Sequence, residues 1–431
     1  MATPGATTTI EAAHRPPWPD EDFSTSNKDS LDLADAETVS HASLVIQDFS
    51  PQQEIFSFHD WEPFPVPWRH PIRCLMWLMR LMFGLSSLLL MLSILAAIPI
   101  VNVFALGYLL EAEGRVARTG KLRYALPLMA IAPRFGMIVL GLSLCLFPLV
   151  ILSDVAADAH LIAPGGQKDR AFSFALRVLT VILTIHALLA IARGGHIVTF
   201  FRPLKNLTWF ITRAFSLNHW ARSSSAIREF FSALQLGQQW RTGFAALLGT
   251  GVWLLVPTVM FAALNDRQKP GQVLLTLIGG VLLVIVLSWL PLLQCRLAVE
   301  RHWRSMFQLQ AARRLFARAP MCWTSAMVLG YALSLPLYLF KTFAPPGDLL
   351  WMFSLIFIVT IYPARILLGL AYSRSMRLEK PAFFLWRWLW SLLLLAALSV
   401  YVFLLFFAPA IGVNGRQVLF EHPLLMLPVP L

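Results

Sequence analysis

Seven stretches of 18 to 23 residues consist almost entirely of apolar side chains: 135–152, 174–192, 244–264, 272–294, 323–343, 349–370 and 387–408. A helix needs about 20 such residues to cross the roughly 30 Å hydrocarbon core of a bilayer. Lipid offers no hydrogen bonds, so every backbone polar group must find its partner inside the protein. Runs of this length and composition therefore predict spanning α-helices. The whole chain is 57% hydrophobic and 13% charged, against about 45–50% and about 25% in soluble domains. A soluble enzyme, a disordered chain and a collagen-like fibre are excluded on that ground. The fold expected is an all-α polytopic bundle.

An eighth apolar region, 81–110, is unusual. As one helix its 30 residues would be about 45 Å long at about 1.5 Å per residue. Pro99 interrupts it, removing a helix hydrogen bond and clashing with the preceding turn. Both flanks are basic: Arg69, Arg73 and Arg80 precede it, and Arg115, Arg118, Lys121 and Arg123 follow. Two readings stand, a single span or a helical hairpin broken at Pro99. The basic flanks favour the hairpin, although its second arm, 100–110, is too short to cross alone.

Lys and Arg accumulate in cytoplasmic loops, and their distribution here is lopsided. The alternate segments 111–134, 193–243, 295–322 and 373–387 hold 22 of them, whereas 154–173, 265–271, 341–348 and 409–431 hold 6. The first set is expected in the cytoplasm, with the C-terminus extracytoplasmic and the N-terminus cytoplasmic. The net charge of +12 and its basic excess are thus an orientation signal, not a nucleic-acid footprint. Residues 1–65 differ from the rest, with 12 Asp/Glu against 2 Lys/Arg. They read as a disordered acidic tail without a signal peptide, suited to recruiting a protein partner. Near its end Phe56, Phe58, Trp61, Phe64 and Trp68 form an aromatic interface anchor ahead of the membrane domain, 66–431. Segments 200–217, 222–241 and 296–318 mix aromatics with Arg and Lys. They are expected to form interfacial cytoplasmic helices, either touching anionic lipid or capping the bundle.

Ionisable residues within apolar runs are costly and mark functional candidates. His186, inside 174–192, reads as a proton relay or as a hydrogen bond to a neighbouring helix. Arg365 follows Pro363 within 349–370, deep enough for function yet near enough to the cytoplasmic end to snorkel. Glu111 and Glu113 stand at the exit of the broken hairpin, where ion pairs with Arg115, Arg118 or a later Arg are expected. Asp154 and Asp158, spaced i, i+4 with His160 nearby, share one helix face. They read as a cation or proton site, or as a solvated helix end. Cys74, Cys145, Cys295 and Cys322 form no CxxC pair, so neither a disulfide framework nor a metal site is indicated. The absence of GxxxxGK[ST], GxSxG and HExxH motifs leaves no cofactor-binding or catalytic residue to name. No two glycines stand four apart, so there is no GxxxG motif.

The segment GYLLEAEGRVARTGKLRYALP (107–127) resembles the Gly-Tyr, basic, Gly and Pro signature of a bacterial membrane family called domain of unknown function 4013. The closer likeness is to a longer planctomycete version. That version also has counterparts of ARGGHIVTFFRPLKN (192–206), LPLLQCRLAVERHWR (290–304), YPARILLGLAY (362–372) and FEHPLLMLPVPL (420–431). The resemblance covers about residues 95–431 and implies an integral protein of the bacterial cytoplasmic membrane. It assigns no catalytic residues.

Three functions remain open. The break at Pro99, His186 and Arg365 point to a transporter or permease for a small solute or lipid. The acidic tail and basic loops point to a structural or assembly protein. An intramembrane enzyme acting on lipids has no motif behind it. A topology reporter fused at residue 60 is expected to give a cytoplasmic signal; an extracytoplasmic one would exclude the hairpin reading.

Overall fold

The computed structural model describes residues 68–129, 131–213, 232, 235–264, 270–342, 350–411 and 415–426. The acidic tail, most of 222–241 and the last five residues lie outside them. The described residues form helices and turns and contain no strand. Helix α1 is Pro71–Ala97 and α2 is Asn102–Thr119. A long pair follows, α3 (Ala132–Ile162) and α4 (Gln167–Ala192), and then a short helix, α5 (Pro203–Arg213). The second half contains α6 (Leu236–Phe261), α7 (Pro270–Glu300), the short α8 (Leu309–Arg318), α9 (Pro320–Thr342), α10 (Leu350–Arg377) and α11 (Phe384–Phe406). Single turns at Ala408–Ile411 and Gly415–Val418 lead into the closing segment. Among the described residues, eight helices are long and apolar enough to cross a membrane. Seven contain the seven apolar runs, and α1 is the eighth. The chain is an integral, multi-pass membrane protein.

The break expected at Pro99 is present. Helix α1 ends at Ala97, Ile100 adopts a left-handed φ of 68°, and α2 starts at Asn102. A β-branched residue in that region costs about 1–2 kcal/mol, so the corner is held by its surroundings. The second arm differs from expectation. It does not stop near residue 110 but runs to Thr119, giving 18 residues and a length of about 27 Å at about 1.5 Å per residue. Residues 111–119 are therefore helix rather than loop. Glu111 and Glu113 lie within α2 and are buried. The apolar run ended at residue 110 only because charged residues begin there, and those charges find partners inside the protein.

Of the 18 residues of α2, 14 are buried. Helices α1, α6, α7 and α10 surround it. Their close approach depends on absent side chains. A methyl group added at Gly107 would overlap the Gln239 carbonyl at the start of α6, and one at Gly114 would overlap the Ala298 carbonyl of α7. One at Gly243 would meet the Val103 carbonyl, and one at Gly369 of α10 the Glu113 carbonyl. Gly120, with φ 68°, caps α2 in the left-handed conformation that suits glycine.

Helices α3 and α4 form an antiparallel pair at the edge. Only 11% of the apolar stretch of each is buried, against 33% to 53% in the other spans. Helix α3 packs on α1, where Gly136 meets Ser87. Asp169 holds the α3–α4 turn by accepting from the Gly165 backbone N–H at 2.8 Å and contacting His160 Nδ1 at 3.1 Å. The expected interfacial segment 296–318 divides. Arg296 and Glu300 end α7 and pair at 2.6 Å, so the separate short helix begins only at Leu309.

Overpacking costs about 1–3 kcal/mol where neighbours can yield, and a backbone carbonyl yields little. Gly107→Val and Gly114→Val are each expected to lower the thermal unfolding midpoint of the purified protein in detergent. Gly251→Val, where no atom lies within reach of the new carbon, is expected to leave it unchanged.

Candidate functional site

Helices α2 and α10 lie side by side and run in the same direction. The pairs Tyr108–Tyr362 and Glu113–Arg365 follow one another along them, and Ser373 and Arg377 crowd Gly120 beyond. At the centre is an ion pair with no solvent access. Arg365 Nη1 donates to Glu113 Oε2 at 3.0 Å, and both residues are 0% exposed. Arg365 does not snorkel to the end of its helix. Its second terminal nitrogen instead donates at 2.6 Å to the Leu424 carbonyl.

That carbonyl belongs to residues 420–426, which fold back among the helices. Leu424 and Leu425 are 1% and 0% exposed. Gln294 of α7 donates to the Leu425 carbonyl and to the Thr250 hydroxyl of α6, both at 2.6 Å. His422 Nδ1 lies 2.6 Å from the Tyr338 hydroxyl of α9, and Lys341 pairs with Glu421 at 2.9 Å. Burial first, and then the Lys341 charge, push the His422 imidazole down to about 3, so it is neutral at ordinary pH. Side chains of α7, α9 and α10 thus bond residues 421–425, and two of them are held in turn by Glu113 of α2 and Thr250 of α6. Four buried atoms in this group have no hydrogen-bond partner: Glu113 Oε1, Arg365 Nε, Gln294 Oε1 and His422 Nε2. Such orphans are rare in folded proteins and call for explanation.

A second cluster lies further along α2. Glu111 receives Arg115 at 2.9 Å, Arg118 at 3.5 Å and Arg301 at 3.0 Å. Arg118 also donates to the Ala298 and Val299 carbonyls, which carry the negative end of the α7 dipole. Nearby, the Tyr108 hydroxyl donates to the Pro127 carbonyl and the Tyr362 hydroxyl to the Ala125 carbonyl, both at 2.5 Å. These bonds pull 125–127 against the bundle.

The other candidates lie elsewhere. His186 Nε2 donates to the Phe200 carbonyl at 2.8 Å, which sets its tautomer and tethers the turn Ile197–Phe200. It belongs to the edge pair and its short neighbours, not to the Glu113–Arg365 group. Thr180, on the same helix, bonds its own backbone at Leu176. Asp154 and Asp158 are exposed on α3, and the carboxylate that meets His160 is Asp169. Among the described residues no three His, Cys, Asp or Glu gather as a metal site would need. Gln294 and Lys341 escaped the sequence reading because they sit at the margins of apolar runs, and Glu421 and His422 because they lie beyond the last run; Tyr338 lies within 323–343, where a tyrosine does not interrupt the apolar pattern.

Removing one partner of a buried ion pair typically costs about 3–5 kcal/mol, because the other charge is left unmatched. Arg365→Met is expected to destabilise the protein by that order in detergent unfolding. Glu113→Leu combined with Arg365→Met is expected to recover most of the loss.

No protein-family model, curated protein or solved structure matches the chain.

Proposed function

We propose that this integral membrane protein is a transporter or permease for a small polar solute, with its binding centre where Arg365, Gln294, Tyr338 and Lys341 meet residues 421–425. The carrying observation is the set of four buried, unpartnered polar atoms around a short segment with no long helix of its own. Ionisable groups are kept inside membrane bundles chiefly for ion and substrate pathways. Four of the five segments that resemble the planctomycete family contribute to this group or pack beside it, which supports treating it as the family's working part. The fifth surrounds the Arg193–Asn206 hydrogen bond at the edge. The unpartnered atoms are two acceptors, Glu113 Oε1 and Gln294 Oε1, one donor, Arg365 Nε, and the His422 Nε2 nitrogen, while the Arg365 and Lys341 charges are matched by Glu113 and Glu421. A neutral polar solute that both donates and accepts hydrogen bonds fits that set.

The same proposal takes the membrane as the bacterial cytoplasmic membrane. The Arg-rich ends of α2, α7 and α10 would face the cytoplasm and its anionic lipids. A structural or assembly role is the second reading. It is favoured by the fact that the protein's own carbonyls already accept from Arg365 and Gln294.

Proteoliposomes containing the purified chain are expected to take up labelled neutral polar solutes that both donate and accept, such as small amides, faster than protein-free vesicles. Arg365→Lys, which keeps the charge but loses the fork of donors, is expected to reduce uptake at least tenfold without changing the elution profile. No uptake of any such solute by well-folded protein would reject the transport reading in favour of the structural one.

A further inference from the structure

Besides Lys168 at the start of α4, the edge pair α3–α4 carries four exposed charges near its turn, Asp154 and Asp158 on α3 and Arg170 and Arg177 on α4. None of the four has an ion pair among the described residues, and Arg177 donates only to the Ser173 carbonyl of its own helix. Arg177 lies three residues inside the apolar run 174–192 and Asp154 two residues past the run 135–152. Both are thus at the edge of the hydrocarbon, where an unmatched charge is costly.

Spacing along the helices places these charges in two continuous stripes. On α3, Leu140, Leu144, Phe147, Ile151, Asp154 and Asp158 alternate steps of four and three, and all are exposed. On α4, Arg170, Phe174, Arg177, Val181, Thr184 and Leu188 do the same, and all are exposed. Alternating steps of four and three make the 3.5-residue repeat of a helix–helix seam. The charged end of one stripe is acidic and that of the other basic.

Depth supplies the second constraint. The His160–Asp169 contact at 3.1 Å fixes how the two helices are aligned. Counting back from it, Asp158 is level with Ala171 and Asp154 with Ala175. Arg170 is one residue from the first level and Arg177 two from the second, offsets of about 1.5 Å and 3 Å at about 1.5 Å per residue. A two-fold axis along the membrane normal preserves depth and makes each contact occur twice.

We infer that the α3–α4 pair is the interface between two copies of this chain, with Asp154 of each facing Arg177 of the other and Asp158 facing Arg170. The stripes meet α3 to α4 and α4 to α3 about the axis, forming a four-helix contact. This also explains why the pair packs so little against its own bundle. The centre proposed for transport takes no part in it.

Asp154→Arg and Arg177→Asp test the contact, because both sites are exposed and tolerate substitution without disturbing the fold. Subunit counting by photobleaching in liposomes is expected to give two copies for the natural chain. Each single reversal is expected to weaken association at least tenfold. Mixing the two single variants restores both pairings in the mixed dimer, so differently tagged copies are expected to co-purify with each other and not with themselves. The inference is overturned if the natural chain is monomeric in vesicles, or if single reversals dimerise as before. It also fails if the mixed variants do not associate, the result expected when lipid phosphates alone neutralise these arginines.

Discussion

Everything inside this bundle is arranged around a carboxylate and a guanidinium that must both be kept out of lipid. Glu113 and Arg365 each lack solvent, and either one alone would be several kcal/mol too costly to bury. Holding them together requires α2 and α10 to touch, and that contact requires Gly369 to lie against the Glu113 carbonyl. The α6 and α7 contacts follow, because α2 is a polar helix with no water of its own and must be enclosed on several sides. Gly107, Gly114 and Gly243 let backbones come near enough to do it. Tight packing supports the polar pair, and the polar pair fixes which packing is allowed.

The segment 107–127 becomes intelligible residue by residue in these terms. Gly107 admits α6, and Tyr108 anchors Pro127. Glu111 and Arg118 tie α2 to the end of α7. Glu113 meets Arg365, Gly114 admits α7, and Gly120 ends the helix in a left-handed turn. The pattern looks like loop chemistry when read locally, being charged and rich in glycine. Its partners are more than a hundred positions away, on α6, α7 and α10.

That distance explains what could be read from the sequence. Spanning helices are local objects, so length and hydropathy located seven of them, and Pro99 marked the corner before α2. The hydrophobic signal for α2 stopped at Leu110 because its remaining turns are buried by polar pairing, to which hydropathy is blind. The same blindness hid Gln294, Lys341 and His422 at the margins of apolar runs. His186 stood out for the opposite reason. It is a polar residue in the midst of an apolar run, and its partner, Phe200, lies only 14 positions along the chain. Gly107, Gly114, Gly243 and Gly369 were missed because they meet carbonyls of other helices, which leaves no fixed interval within either helix.

The separation of Glu113 from its partner also governs how the protein can be made. They stand 252 positions apart. At about 5–20 residues per second of synthesis, Glu113 emerges roughly 13–50 s before Arg365 exists. The Leu424 carbonyl that completes the guanidinium's shell comes later still. During that interval Glu113 has no partner of its own, so it must wait protonated or at the wet edge of the insertion machinery. Helix α1 and the edge pair can enter lipid early. The heart of the bundle can close only after α10 and the segment 420–426 have been delivered, so assembly proceeds from the periphery inward.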